Sequence, residues 1–455
     1  MMPLEQTQPC GDVAVLVEAG DSRGLSEVFR DLRSEDIPRV VTRLDPALRT
    51  RLVDLVEPDV ASTIVRLVED FQAAELMEGL APERAAAIIQ GLPSNDAADL
   101  LGHFDDARAA AVLAEVTPGL ADTLRTLTAY PPNTAGGLMV TEYLAYPREA
   151  RVSDVIQDLR ENAPKYASYH VQYVYVLGMA GRLSSVVRVR DLLLSSPDTR
   201  LGSLTPIRPT KVNHLADLDT LREIFDRVPF VGLPVVDDED VLKGVVRRLH
   251  LEEALADRTA GELRQAFGIV GGEEVRTMPA LLRSRRRLSW LSVNIVLNVI
   301  AASVIVFFEE TLAQVIALAV FLPIISDMSG CSGNQAVAVT LRELSLGLVR
   351  VSEVARVWAK ELTVGVVNGF VLGLLIGTAA WLWKGDPLLG VVVGTAMAVN
   401  TLVAVSIGGV VPLALRRFGF DPALASGPIL TTITDMCGFF LVLGLATLFL
   451  ARLVQ

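Results

Sequence analysis

Residues 424–451 read "LASGPILTTITDMCGFFLVLGLATLFLA". A helix needs about 20 mainly apolar residues to cross the hydrocarbon core of a bilayer, and this run exceeds that length. It carries a single charge, Asp435. A carboxylate at mid-helix costs roughly 2.5–3.5 kcal/mol on insertion scales, and such residues face a bundle interior or a pathway rather than lipid. No basic residue lies deep in any other apolar run to neutralise it. The stretch therefore predicts a helical membrane domain at the C-terminus and singles out Asp435 as a pathway residue.

Working outward, five apolar spans are expected at 288–308, 312–338, 361–383, 388–415 and 424–451. The second is expected to be interrupted at "SDMSGCSGNQ" (326–335), which is too polar and Gly-rich for a plain lipid-facing helix. Gly330 and Gly333, beside Asn334 and Gln335, suit two purposes. They permit close helix packing, or they expose carbonyl and amide oxygens to a cation. Asn294 and Asn298 share one face of span one. With Asn368 and Asn400 they read as interhelical hydrogen-bonding residues.

Arg283, Arg285, Arg286 and Arg287 precede span one. Arg342, Arg350, Arg356 and Lys360 follow span two, and Arg416 and Arg417 follow span four. The other side has only Lys384 and Arg452. The positive-inside rule then puts the N-terminal domains in the cytoplasm and the C-terminus outside, in a multi-pass protein of the inner cell membrane. The start, "MMPLEQTQPCGDV", has no basic region ahead of an apolar stretch, so no signal peptide is expected.

The charge divides with the hydropathy. Residues 283–455 hold 12 Lys+Arg and 9 Asp+Glu, leaving 29 basic and 44 acidic residues in 1–282. An acidic soluble half argues against nucleic acid and suits cations. Within it, residues 22–130 predict an all-α superhelix. "LAPERAAAIIQGL", "PSNDAADLLGHF" and "DDARAAAVLAEV" repeat a helix-start signal and an apolar stripe about every dozen residues. Residues 134–258 alternate short β-like runs ("HVQYVYVLG", "LSSVVRV", "GLPVVDD", "LKGVVRR") with helical stretches, which predicts a duplicated α/β module. A connecting helical segment, 259–287, leads to the membrane domain at 288–455.

Enzymatic motifs are missing: there is no Walker A loop, GxSxG or HExxH, and no enzyme activity is expected. Cys10, Cys331 and Cys437 are scattered, and His103, His170, His214 and His250 are isolated, so zinc or copper chemistry is not indicated. Oxygen ligands point to Mg²⁺, Ca²⁺ or Mn²⁺. One carboxylate per chain cannot build a dry calcium cage, whereas Mg²⁺ keeps much of its water and accepts one or two carboxylates. A two-fold dimer would supply two copies of Asp435. Two other readings stand beside a channel: an ion-coupled exchanger with Asp435 as carrier, and a membrane-anchored sensor with no flux.

Five motifs in order resemble the MgtE-type magnesium transporters over nearly the whole chain. "YPPNTAGGLMVTEYL" (130–144) resembles the family's junction between a helical N domain and paired cystathionine-β-synthase (CBS) domains. "GRLSSVVRVRDLLLSSPDT" and "GLPVVDDEDVLKGVV" resemble the two CBS repeats, "RLSWLSVNIV" the first membrane helix, and "RRFGFDPALASGPILTTITDMCG" the last. The resemblance implies a homodimeric Mg²⁺ channel gated by cytosolic Mg²⁺. It implies that Asp435 lines the pore, that Glu309 ends span one and that Asp421 stands near the cytosolic mouth. Asn334 joins these metal candidates from the Gly-rich stretch, and 259–287 would be the plug helix.

The implied sensor acids are Asp96, Asp99, Glu252, Glu253, Asp257 and Glu262. The CBS pair leaves room for ATP, with Asp191 the surviving position of the nucleotide pattern. The chain departs from the family where Cys331 replaces an asparagine and where Gly427-Pro428 replaces Asn-Pro, each removing an amide oxygen. Arg188, Arg247 and His250 replace polar positions of the nucleotide pattern, and Arg247, Arg248, Arg258 and Arg264 dilute the acidic region.

Overall fold

The computed structural model describes residues 8–167, 169, 171–204, 209–269 and 278–453. It forms two compact units, Met1–Asp257 and Arg258–Gln455. Residues 270–277 of the expected connecting segment lie outside the described residues; its two flanks belong to helices Arg248–Ala266 and Ala280–Phe307.

In the first unit, successive helices begin at Pro46, Pro58, Asp70, Pro82, Ser94, Asp106 and Pro118. Proline opens four of them, where its missing N–H costs nothing and its fixed φ is already helical. Helices of about ten residues are unstable alone in water. Here each packs against the helix two along, which is the stacking the dozen-residue period predicts.

An arginine repeats with the stack. Arg84 Nη2 donates to the carbonyls of Val53 (2.9 Å) and Val56, and Arg108 Nη2 donates to those of Met77 (2.8 Å) and Leu80 (2.6 Å). Each guanidinium thus closes the C-terminus of a neighbouring helix, where carbonyls lack intrahelical partners. Arg108→Met is expected to cost about 2 kcal/mol, or roughly 5 °C in melting temperature of the first unit. Thermal unfolding of the full-length protein tests this, and an unshifted transition would show that solvent satisfies the same carbonyls.

The α/β module is duplicated. Strands β1 (Leu144–Pro147), β2 (Tyr173–Leu177) and β3 (Leu183–Arg188) form one sheet, and β4 (Val212–Asn213), β5 (Gly232–Val236) and β6 (Leu242–Arg247) form the other. Each has a parallel then an antiparallel pairing, with an irregularity at the matching place, Val176/Leu177 and Val235/Val236. Val140, Tyr175, Val186, Val236 and Val245 form the core where the repeats meet. The two glycines of "TAGGL" are steric requirements. A Cβ on Gly136 would lie 2.6 Å from Tyr130, and one on Gly137 would lie 2.5 Å from the Pro131 carbonyl oxygen. That closeness lets Gly136 N donate to His214 O at 2.7 Å.

The second unit is a bundle of long helices. Among the described residues, Ala280–Phe307, Val351–Lys384, Pro387–Arg417 and Pro422–Leu448 are long and apolar enough to cross a membrane. The fifth long helix, Leu318–Ser345, has 28 residues but carries the polar stretch 326–335. The interruption expected there is absent, and one helix runs through. Its small residues Ser329, Gly330, Ser332 and Gly333 are buried against protein, whereas Asp327, Cys331, Asn334 and Gln335 are exposed. Helix Pro387–Arg417 is central and packs against Leu318–Ser345, Val354–Lys384 and Pro422–Leu448.

Candidate cation site in the second unit and acidic cluster in the first unit

Asp421 caps helix Pro422–Leu448, its Oδ1 accepting from Ala423 N at 2.8 Å. Asp435 follows roughly 21 Å further along the axis, at about 1.5 Å of rise per residue. It is 8% exposed. Ser326 Oγ of helix Leu318–Ser345 donates to its Oδ1, and none of the described salt bridges reaches it.

Beside Ser326 stands Asp327, close enough to repel the Asp435 carboxylate. In the sequence Asp327 is hidden by its Gly-rich surroundings, which look like a break in the span, yet it is an ionisable residue within an apolar run. Asp327, Cys331 and Asn334 fall at i, i+4 and i+7 and are all exposed, so they form one polar stripe on the helix surface. Two carboxylates and a hydroxyl from neighbouring helices make a hard-oxygen ligand set suited to Mg²⁺.

Of the two purposes open for the glycines, packing applies to Gly333. A Cβ there would lie 2.9 Å from Ala404 O, and a Cβ on the facing Gly408 would lie 2.3 Å from Gly333 O. Gly330 is looser, the nearest atom to such a Cβ being Thr434 Oγ1 at 3.9 Å.

The asparagines divide. Asn368 Nδ2 donates across helices to Ser332 Oγ at 3.5 Å, as expected. Asn294 Nδ2 instead donates within its own helix to Trp290 O at 3.1 Å, and Asn298 is exposed, because helix Ala280–Phe307 leaves most of its surface unpacked. Asn400 is fully buried, yet neither amide atom has a hydrogen-bond partner among the described residues. Each unpaired buried group costs about 1–3 kcal/mol.

Glu309 opens the short helix Glu309–Gln314 and is exposed. Two residues on, Thr311 Oγ1 lies 2.7 Å from Thr447 Oγ1, at the end of the Asp435 helix opposite Asp421. Asp421, Asp435 and Glu309 therefore mark three heights along one bundle. They do not converge: among the described residues no three His, Cys, Asp or Glu side chains gather to hold a metal ion.

In the first unit, Asp96 and Asp99 on helix Ser94–Gly102 stand near Asp70, the first residue of helix Asp70–Glu78. Glu253 and Asp257, on helix Arg248–Ala266, act electrostatically on Asp96 and Asp70. Burial, reinforced by Glu253 and Asp70 against the opposing pull of Arg66, pushes Asp96 up to about 6. Asp99 keeps solvent contact at its own surface, but the dense protein around it, with Asp70 and Asp96, pushes it up to about 7. Asp70 belongs to this cluster and was not singled out in the sequence, where one more acid at a helix start looks ordinary.

Glu252 instead lines a cavity between the α/β repeats. Glu262 lies in the second unit, 3.3 Å from Arg258, and accepts from Ser345 Oγ at 3.3 Å.

The raised carboxylates set a pH dependence. Their folded pKa exceeds the unfolded one, so the stability they confer is full below about pH 4 and is lost as pH rises through about 6 to about 7. A divalent cation relieves the same repulsion. Mg²⁺ is expected to raise the melting temperature of the first unit more at pH 8 than at pH 5.5. Melting of the full-length protein at the two pH values checks this, and an equal Mg²⁺ shift at both would break the link.

The cavity between the repeats has a volume of about 330 Å³ and is lined by Glu142, Tyr143, Tyr173, Tyr175, Arg247 and Glu252, among others. Asp191 is not on its wall; it sits on the short helix Val189–Leu193, 3.5 Å from Arg190. Glu142 also accepts from Ser94 N (3.1 Å) and Ser94 Oγ (2.9 Å), so it ties the cavity to the helix bearing Asp96 and Asp99.

Comparison with known proteins finds matches in both units. Residues 322–445 match the divalent cation transporter domain MgtE, and residues 32–133 match the MgtE intracellular N domain. The magnesium transporter MgtE of Bacillus subtilis is 31% identical over 324 residues, 71% of each chain. That of Thermus thermophilus is 32% identical over 332 residues, 71% of this chain and 72% of the relative. Among solved structures, the cytosolic domain of the Mg²⁺ channel MgtE in complex with ATP is 27% identical with a TM-score of 0.49, covering 54% of this chain and 99% of that one.

Proposed function

The chain belongs to the MgtE family of divalent cation transporters, and from that premise we propose that it is a Mg²⁺ channel whose path is lined by Asp435. The observation that carries this reading is a carboxylate nine-tenths buried among membrane helices, hydrogen-bonded to Ser326 and joined by no described salt bridge. A second copy of the chain, related by a two-fold axis, brings a second Asp435 to the path. Asp327 adds another carboxylate beside each. Such a ring holds Mg²⁺ through part of its water shell, since Mg²⁺ dehydrates reluctantly. Entry into the cytoplasm requires no nucleotide hydrolysis, because two charges gain about 4.6 kcal/mol per 100 mV of membrane potential. The flanking arginines support an orientation with the first unit in the cytoplasm and the C-terminus outside.

Gating is assigned to the acids of the first unit. Asp70, Asp96, Asp99, Glu253 and Asp257 repel one another when Mg²⁺ is low and draw together around it when it is high. The cavity beside Arg247 is the proposed seat of an adenine nucleotide, with the tyrosines for the base and Arg247 for phosphate. Asp191 has no part in it.

Divalent flux in proteoliposomes, with Mg²⁺ titrated on the cytosolic face, tests the whole reading. Uptake is expected to follow voltage and the Mg²⁺ gradient and to close as cytosolic Mg²⁺ rises. Flux that demands an imposed pH or Na⁺ gradient would replace the channel with a coupled exchanger. Absence of flux under every gradient would leave a membrane-anchored sensor.

A further inference from the structure

Asn400 lies on the central helix Pro387–Arg417, fully buried, with both amide atoms unpartnered among the described residues. The fold makes room for it. A Cβ on Gly438 would stand 2.8 Å from Asn400 Nδ2 and 3.5 Å from Ile325. Gly438 is three residues beyond Asp435, on the same side of that helix one turn away. Ile325 immediately precedes Ser326 and Asp327. Asn400 therefore fills the junction of the helices that carry the cation site.

Its surroundings are polar as well as tight. The neighbouring Thr401 has its Oγ1 3.5 Å from Ser329 Oγ, and Thr434 is buried beside Asp435. Gly330 faces Thr434 as well, a Cβ there lying at ordinary contact distance, 3.9 Å, from Thr434 Oγ1. Buried polar groups find protein or ordered water as partners, and a buried water needs two to four of them. A leucine at position 400 would pack without that demand, whereas an amide facing a glycine is a costly choice for mere filling.

We propose that Asn400 is a positioning residue for the Asp435 site. Its amide, both donor and acceptor, holds an internal water shared with the hydroxyls of Ser329, Thr401 and Thr434. That link fixes the rotation of helix Pro422–Leu448 at which Asp435 faces the ion. The inference rests on the reading that Asp435 lines the path.

The test measures Mg²⁺ flux, its KM, competition by Co²⁺ and thermal melting on the full-length protein in proteoliposomes and detergent. Asn400→Leu is expected to melt at or above the wild-type temperature, since an unpaired polar group is gone. Its KM for Mg²⁺ is expected to rise at least fivefold and its preference for Mg²⁺ over Co²⁺ to shrink. Asn400→Ser, which keeps a hydroxyl and room for water, is expected to stay within twofold of wild type. Wild-type KM and preference in Asn400→Leu overturn the proposal. Should Asn400→Leu fail to fold, Gly438→Ala displaces the amide without deleting it; the same rise in KM supports the proposal, and an unchanged KM overturns it. Asp435→Asn is measured alongside. Its loss of flux leaves a wild-type Asn400→Leu counting against Asn400 alone, while persistent flux in Asp435→Asn overturns the pathway reading and this inference with it.

Discussion

Asp435→Asn is expected to cut Mg²⁺ influx on the order of 100-fold, equivalent to about 2.8 kcal/mol of lost ion stabilisation. The substitution keeps the side-chain shape and the hydrogen bond from Ser326 Oγ but removes the charge. In a two-fold dimer it removes two charges from one path. Folding should not suffer, because a carboxylate within a span is a cost to insertion and an amide is a smaller one. The protein is therefore expected to express and to melt at or above the wild-type temperature while conducting poorly. Flux through proteoliposomes, normalised to inserted protein, makes the comparison. Near-normal uptake with a well-folded variant would remove Asp435 from the pathway. Asp327→Asn provides the graded case: its exposed carboxylate lies beside the site, so a partial loss is expected.

The second large effect is structural. Helices Val354–Lys384 and Pro387–Arg417 meet along facing glycines, where their backbones come close. A Cβ on Gly373 would lie 2.6 Å from Gly394 O, one on Gly394 would lie 2.7 Å from Gly373 O, and one on Gly377 would lie 2.7 Å from Gly390 O. The obstructing atoms are backbone carbonyls in regular helix, so no rotamer change relieves the clash. In a membrane, helix association depends on such close packing rather than on a hydrophobic driving force. Gly373→Leu is expected to prise the pair apart at a cost of about 3 kcal/mol or more, and to yield aggregated or degraded protein. Gly385→Ala is a contrasting control, since no other atom lies within 4 Å of its Cβ position and its left-handed φ of +74° imposes only local strain. A monodisperse Gly373→Leu protein with an unchanged melting temperature would show that the seam opens freely.

Much of this was legible along the chain because the controlling forces are local. The twelve-residue succession of helix starts is written in Pro46, Pro58, Pro82 and Pro118, residues that act within their own first turn. Asp435 was visible because hydropathy is a property of a short window, and one carboxylate in such a window has few explanations. The acids at 96 and 99 stand out in the sequence only as two among many. Their raised protonation depends on Asp70 and Glu253, which are remote in sequence.

The sequence by itself determined the three kinds of domain, the long apolar helices and the placement of a buried charge on the last of them. Tertiary structure alone decided the polar stretch at 326–335. It decided that the helix runs on unbroken, that Gly333 packs against Gly408, and that Ser326 and Asp327 come to Asp435. It also decided that Asn400 has no hydrogen-bond partner among the described residues while Asn368 has one. The reason is physical. Helix formation and membrane insertion are summed over neighbouring residues, whereas hydrogen bonds, steric seams and carboxylate repulsion depend on distances of a few ångströms between residues a hundred positions apart.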